Sequence, residues 1–181
     1  KKKKIRLLAD NNWHSLCFGL EDVGTEYRKN KRLIDAARLC HSHGIYITLS
    51  FIINDDGKTK EEAEQNYQAV YEAFTSLKPA QVCANFLMPF PGTGIWDRYK
   101  DRIAEEDFEK YDSKTPILAP IELREWHQKM LVAVQLAYYY SKHYPRNFEC
   151  GDTQHLRFQE LAKQFDMADG KWEHYFKPPK D

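Results

Sequence analysis

Three short runs of β-branched, aromatic and apolar residues, separated by stretches with helical spacing, constrain this chain more than any other feature. The runs are "HSLCFGLE", with Leu16, Phe18 and Leu20; "IYITLSFII", from Ile45 to Ile53; and "AQVCANFLM", ending at Met88. Such near-continuous apolar runs are expected of strands covered on both faces. Between the first two, Leu33, Ala37 and Cys40 fall on one helical stripe, and Gly44 stands where a helix takes a C′ glycine. Between the second and third, "TKEE" has the form of a capping box, with Thr59 as N-cap and Glu62 three residues on. Ala63, Tyr67, Val70, Phe74 and Leu77 then recur at helical intervals until Pro79. The order is βαβαβ, with crossovers long enough for a parallel sheet and helices expected over about Lys31 to His43 and Thr59 to Leu77.

Beyond Met88 the pattern becomes helical. "TGIWDRYKDRI" starts a short helix, and "EEDFEKYDSKTPILAP" reads as a loop with one turn. A long helix is expected from about Ile121 to Tyr144, with Leu123, Trp126, Met130, Val134 and Ala137 on one stripe. "TQHLRFQELAKQF" is a last helix with Leu156, Leu161 and Phe165 at roughly helical spacing. The tail "KWEHYFKPPKD", aromatic and then rich in Pro and Lys, is expected to be partly disordered.

Bulk properties narrow the function classes. In 181 residues, 27 Lys and Arg balance 27 Asp and Glu, which argues against a nucleic-acid footprint. The longest nearly apolar run, "LVAVQLAYYY", is too short to span a bilayer, and the "KKKK" start reads as a solvated segment with no secretory signal. Cys17, Cys40, Cys83 and Cys150 are scattered, without C-x-x-C spacing. Cys17, Cys40 and Cys83 lie in apolar segments and are expected to be buried thiols, which fits a reducing, cytoplasmic compartment. His41 and His43, two apart, point to different helix faces, and the other histidines lack partner spacing, so no metal site is expected from them.

Each strand ends in residues of distinct backbone or side-chain character: Glu21 and Asp22 after the first, "NDDG" (Asn54 to Gly57) after the second, and "PFPGT" (Pro89 to Thr93) after the third. In a parallel sheet all three ends share one rim, and ligands of α/β folds bind at that rim. A small-molecule site there is the expectation.

Taken together, these segments resemble the second half of the radical S-adenosylmethionine core. They are most similar to the group that carries an added cobalamin-binding domain, including the anaerobic Mg-protoporphyrin IX monomethyl ester oxidative cyclase type. The resemblance runs from about Cys17 to Tyr99. It rests on Phe18-Gly19-Leu20-Glu21, Asn30-Lys31, Gly44-Ile45, Phe51-Ile52-Ile53, Gly57, Thr59 and Pro89-Phe90-Pro91-Gly92-Thr93, in the family's order and spacing. A methylthiotransferase of the same superfamily would be expected to continue into a small β-barrel, whereas this chain turns helical.

The resemblance implies the last three βα units of a partial TIM-type (β/α)6 barrel over residues 1–100, then a mainly helical C-terminal extension over 101–181. It implies S-adenosylmethionine as cofactor, contacted by Glu21 at the first strand end, by Asn54 at the second, and by Leu87, Met88 and Pro89 beside the adenine. At the second strand end the family pattern is altered, since Asn54 stands where glycine is common and Asp56 and Lys58 replace proline and glutamate. The family's C-x-x-x-C-x-x-C motif and a cobalamin-binding region do not occur in these 181 residues. The chain is therefore expected to be a C-terminal fragment of an oxidative cyclase or methyltransferase acting on an unactivated carbon. The four-iron four-sulfur cluster and cobalamin would belong to the parent, and the fragment alone would be inactive. Its partners would be the N-terminal half of the barrel and a small-molecule substrate, with no nucleic acid and no membrane. The open strand edge would leave the fragment self-associating or its first twenty residues mobile, with Phe51, Ile53 and Leu87 exposed on the inner face. The alternative is a non-catalytic α/β binding or scaffold module that retains the half-barrel.

Reconstitution of this chain with iron and sulfide is expected to give no stoichiometric four-iron cluster. Iron and absorbance measurements showing one cluster per chain, lost on Cys→Ala substitution, would count against that.

Overall fold

A computed structural model describes residues 2–21, 27–53, 59–103, 105, 107–145, 154–167 and 172–178, without the side chains of residues 2, 21, 27–31, 154, 155, 157 and 173. Three strands, β1 (Ser15–Glu21), β2 (Tyr46–Ile53) and β3 (Gln81–Phe86), form a parallel sheet in chain order. The crossovers carry α2 (Tyr27–His41) and α3 (Lys60–Leu77). An additional helix, α1 (Lys2–Asp10), precedes β1; it buries Ile5 and leaves Lys3 and Lys4 exposed, as expected of the lysine-rich start. After β3 come α4 (Gly94–Tyr99), the long α5 (Ile121–Tyr140) and α6 (Gln154–Gln164). Among the described residues no helix is long and apolar enough to cross a membrane.

Local sequence explains where these elements start and stop. The Thr59 hydroxyl accepts the Glu62 amide at 3.2 Å, and the Glu62 carboxylate accepts the Thr59 amide at 2.9 Å, so the expected capping box is present. Past the end of α2, Gly44 adopts φ +74°, and the Ile45 amide reaches back to the Cys40 carbonyl at 3.0 Å. A side chain at that φ would be strained, which accounts for the glycine. All five expected apolar positions of α3 are buried.

The sheet differs from expectation in its faces. Register and alternation put Leu20, Phe51, Ala84 and their even-spaced neighbours on one side. That side is packed: Phe51 and Phe74 meet edge-on at 5.1 Å, and Leu49, Phe51, Val82 and Ala84 are almost fully buried. Each of the larger side chains contributes about 1.5–3 kcal/mol when fully buried. The other side carries Cys17, Gly19, Thr48, Ser50, Cys83 and Asn85, all exposed or half-buried. Coverage of both faces is thus corrected to coverage of one. Phe51 and Ile53, expected on the exposed inner face, belong to the helix-covered side. Mostly small and polar residues, together with Tyr46 and Ile52, occupy the open side in their place, and of the cysteines there Cys17 is exposed and Cys83 half-buried. Cys40 is buried as expected, and burial pushes its thiol pKa up.

Helix α5 fills the place beyond β3. From Met130 to Tyr139 every residue is buried, far more than one stripe, because α5 is enclosed by α3, β3, α6 and a C-terminal turn. On α6 the buried positions are Phe158 and Ala162, while Leu156 is about half exposed, which corrects the expected stripe. The tail is docked over residues 172–178: Trp172 is buried, Phe176 stacks on Tyr71 at 4.9 Å, and the Gln68 amide bonds both the Lys177 amide and its carbonyl. Residues 171 and 179–181 of that tail lie outside the described residues.

Beyond packing, α5 seals the outer edge of the sheet. The fully buried Gln135 accepts the Ala84 amide at 3.2 Å and donates to the Leu131 carbonyl at 3.0 Å. The Phe86 amide donates to the Ser113 carbonyl at 2.9 Å, and the Lys114 ammonium to the Ala84 carbonyl at 3.0 Å. Three backbone groups that would otherwise offer a free edge are satisfied this way. Gln135→Met, similar in volume but unable to accept the Ala84 N–H, is expected to cost about 1–3 kcal/mol in denaturant titrations.

Candidate functional site

The rim formed by the strand ends is built from backbone register. Glu21 is level with Ile52, Ile53 with Phe86, and the Leu87 amide extends the β2–β3 ladder to the Ile53 carbonyl at 2.9 Å. The three strand ends singled out in the sequence therefore lie along one edge of the sheet. Glu21 closes β1; its side chain, and all of Asn54, lie outside the described residues.

The "PFPGT" turn has a clear local cause. Gly92 takes φ +84°, and Thr93 caps α4 by accepting the Trp96 amide at 3.1 Å while donating to the Phe90 carbonyl at 2.7 Å. Met88 and Pro89 are buried and Leu87 is half-buried. Leu87 shares a small cavity of about 10 Å³ with Ile53, Phe86, Pro116, Leu118 and Ala119. Residues 107–120 thus form a strap against the ends of β2 and β3.

Sequence reading saw this strap only as a loop, and its anchors lie far apart in the chain. The Asp112 carboxylate accepts the amides of Lys114 and Thr115, each at 2.7 Å. Arg124 on α5 donates to the carbonyls of Ile117 and Ala119 and forms a 3.0 Å ion pair with Glu105. Lys110 bonds both carboxylate oxygens of Glu105 at 3.1 Å. Hydrogen bonding from Lys110 holds the Glu105 carboxyl below the usual carboxylate range, with help from the Asp107 amide and Arg124 and against a smaller opposing effect of desolvation.

On the open side of the sheet, the polar groups nearest the rim centre on Asn85. Its Oδ1 accepts the Lys114 ammonium at 2.6 Å and the Ser113 hydroxyl at 3.2 Å, and its Nδ2 approaches the Cys83 sulfur at 3.2 Å. Deeper in the same face, the Thr48 hydroxyl bonds Gln81 at 3.3 Å. This cluster went unnoticed in the sequence because nothing near Asn85 identifies Lys114 as its partner. Period-2 alternation in "QVCANF", with Val82, Ala84 and Phe86 as the apolar set, was the available signal.

His127, one of the histidines without partner spacing in the sequence, has a packing role. It is buried, 3.1 Å from the Tyr67 hydroxyl and beside the rings of Trp126 and Phe86, so it belongs to the packing of α3 against α5. Tyr138, the first of three consecutive tyrosines that end α5, donates to the Pro79 carbonyl at 2.6 Å, and burial pushes its pKa up. A larger groove of about 620 Å³ lies on the outer helical surface, lined by Glu61, Glu64, Glu72, Trp126 and Tyr175 among others. Among the described residues no three His, Cys, Asp or Glu side chains are grouped to hold a metal ion.

Comparison with known proteins gives partial likenesses. No family model matches the chain. Over 83 residues it is 31% identical to the bacteriochlorophyllide d C-12(1)-methyltransferase of Chlorobaculum tepidum, covering 46% of this chain and 17% of that protein. It is 31% identical over 88 residues to the anaerobic magnesium-protoporphyrin IX monomethyl ester cyclase of Cereibacter sphaeroides, covering 48% and 13%. The cyclase of that name from Rubrivivax gelatinosus is 30% identical over 98 residues, covering 53% and 16%. The aligned segments thus span about half of this chain and 13–17% of relatives that are a methyltransferase and two cyclases. These likenesses are consistent with the cobalamin-type radical S-adenosylmethionine enzymes without being specific to them.

The strap has a pH signature. A carboxyl whose folded pKa is depressed stabilises the fold above its unfolded value and loses that contribution as pH falls through the folded value. Stability is therefore expected to fall as pH drops below about 4.3, the ordinary glutamate value. Glu105→Gln should flatten this part of the profile in urea midpoints measured between about pH 3 and 6.

Proposed function

We propose that this chain is the C-terminal part of a radical S-adenosylmethionine enzyme of the cobalamin-binding type, an oxidative cyclase or methyltransferase acting on an unactivated carbon. In this reading the sheet is half of a partial barrel, and its open side is one wall of the pocket for S-adenosylmethionine and substrate. Upstream chain supplies the other strands, the cluster-binding cysteines and cobalamin. Glu21 and Asn54 contact the cofactor at the strand ends, and Leu87, Met88 and Pro89 back its adenine. The bound cofactor would supply a 5′-deoxyadenosyl radical; the residues described here would bind, orient and exclude water.

The observation that carries the reading is the asymmetry of the sheet. One side is packed by helices, and the other presents mostly small and polar residues, with Ile52 between Glu21 and Asn85, next to the rim where the family-like motifs end. The helices account for burial on the first side alone, and a pocket wall accounts for the second. Similarity to a methyltransferase and two cyclases supports it independently. The second reading, a non-catalytic α/β binding or scaffold module, is favoured by the altered second strand end at Asn54, Asp56 and Lys58.

The test is made on the full-length protein. Its open reading frame is expected to encode C-x-x-x-C-x-x-C upstream. After anaerobic reconstitution and reduction, it should cleave S-adenosylmethionine to 5′-deoxyadenosine. An upstream region without the motif, together with no cleavage, would establish the scaffold reading instead.

A further inference from the structure

We infer that Asn85 supplies the side-chain amide that recognises the ligand on the open side of the sheet, donating an Nδ2–H to an acceptor atom of that ligand. This rests on the pocket-wall reading above. Position is the first argument. Asn85 pairs in register with Ile52, which pairs with Glu21, so the three form one row across the sheet at the rim. Neighbouring strands lie about 4.8 Å apart, so the ends of the row are about 10 Å apart. A nucleoside-sized ligand lying along the row reaches both ends.

Orientation is the second argument. An ammonium group only donates hydrogen bonds, so the Asn85 atom 2.6 Å from the Lys114 Nζ must be the carbonyl oxygen. The Ser113 hydroxyl donates to that same oxygen at 3.2 Å. This determines the amide flip, and Nδ2 is the atom left over, turned toward Cys83 on the same side of β3. Among the described residues Nδ2 has one contact, the Cys83 sulfur at 3.2 Å. Thiol sulfur is a weak acceptor, and an amide nitrogen carries two hydrogens, so one N–H remains for a ligand.

Rigidity is the third. Lys114 also donates to the Ala84 carbonyl at 3.0 Å and sits 5.6 Å from the Phe158 ring centre, which anchors it to both β3 and α6. Its charge pulls electron density toward Oδ1 and strengthens Nδ2–H as a donor. The row thus offers a carboxylate position at Glu21 and a fixed donor at Asn85. The complementary ligand has donor groups at one end and, at the other, a heterocycle with ring-nitrogen or carbonyl acceptors. Adenine fits the second requirement.

S-adenosylhomocysteine, titrated calorimetrically into the reconstituted full-length protein, provides the test. Asn85→Asp keeps the shape and an ion pair with Lys114 but removes the donor. Asn85→Leu removes the donor and also takes from Lys114 one of its acceptors, leaving the Ala84 carbonyl. Both variants are expected to bind about tenfold more weakly, although only Asn85→Leu should lower the unfolding midpoint. Binding by Asn85→Asp within about twofold of wild type overturns the role of Asn85 and leaves the pocket wall standing. No binding by the wild-type protein overturns the pocket wall, and this inference with it.

Discussion

The sealing of the β3 edge is the constraint on which the rest of this structure depends. A parallel strand at the end of a sheet leaves alternate N–H and C=O groups pointing outward, and each costs free energy if buried without a partner. Here α5 and the strap both approach that edge, and both answer it with polar groups. Gln135 takes the Ala84 amide, Lys114 the Ala84 carbonyl and Ser113 the Phe86 amide. Because these bonds have direction, they determine where α5 stands and how the strap crosses the strand ends. The same Lys114 that completes the edge also orients Asn85. Closure of the edge and shaping of the open side are thus one network.

The two sides of the sheet follow from this arrangement. With α2, α3 and α5 on one side, the apolar set of each strand turns toward them, and the small and polar set faces away. Leaving the second side exposed costs little, because Gly19, Thr48 and Ser50 lose little by staying near water. A module that needed only to be stable could have buried both sides. An open side bordered by the strand-end rim is what the proposed pocket-wall role requires.

Alternation within the strands was visible in the sequence, but its sense was not. In "IYITLSFII" both sets contain apolar residues, so Ile52 and Ile53 cannot be told apart by composition. Phe51 and Ile53 were expected inward and are found against the helices. Cys17 shows the same limit: an apolar neighbourhood in sequence did not make it buried, since it alternates with Leu16 and Phe18 on an edge strand. The docked tail is a further case. Composition alone did not show that its aromatic part would dock: Trp172 and Phe176 find a surface made by α3 and α5, and Gln68 holds the Lys177 backbone as a neighbouring strand would.

What the sequence by itself determined is what local interactions determine. Helical spacing, the Thr59 capping box, Gly44 past α2 and the Gly92–Thr93 turn each depend on residues within a few positions of one another, and each was legible. Crossover length then made the parallel order of β1, β2 and β3 readable as well. Tertiary structure alone decided which side of the sheet is open, how the β3 edge is closed and which polar groups meet at the rim. Those outcomes turn on pairs such as Asn85 with Lys114, 29 residues apart, and Ala84 with Gln135, 51 apart. No periodicity links such pairs; they meet only when the packing of α5 brings the strap and the last strand together.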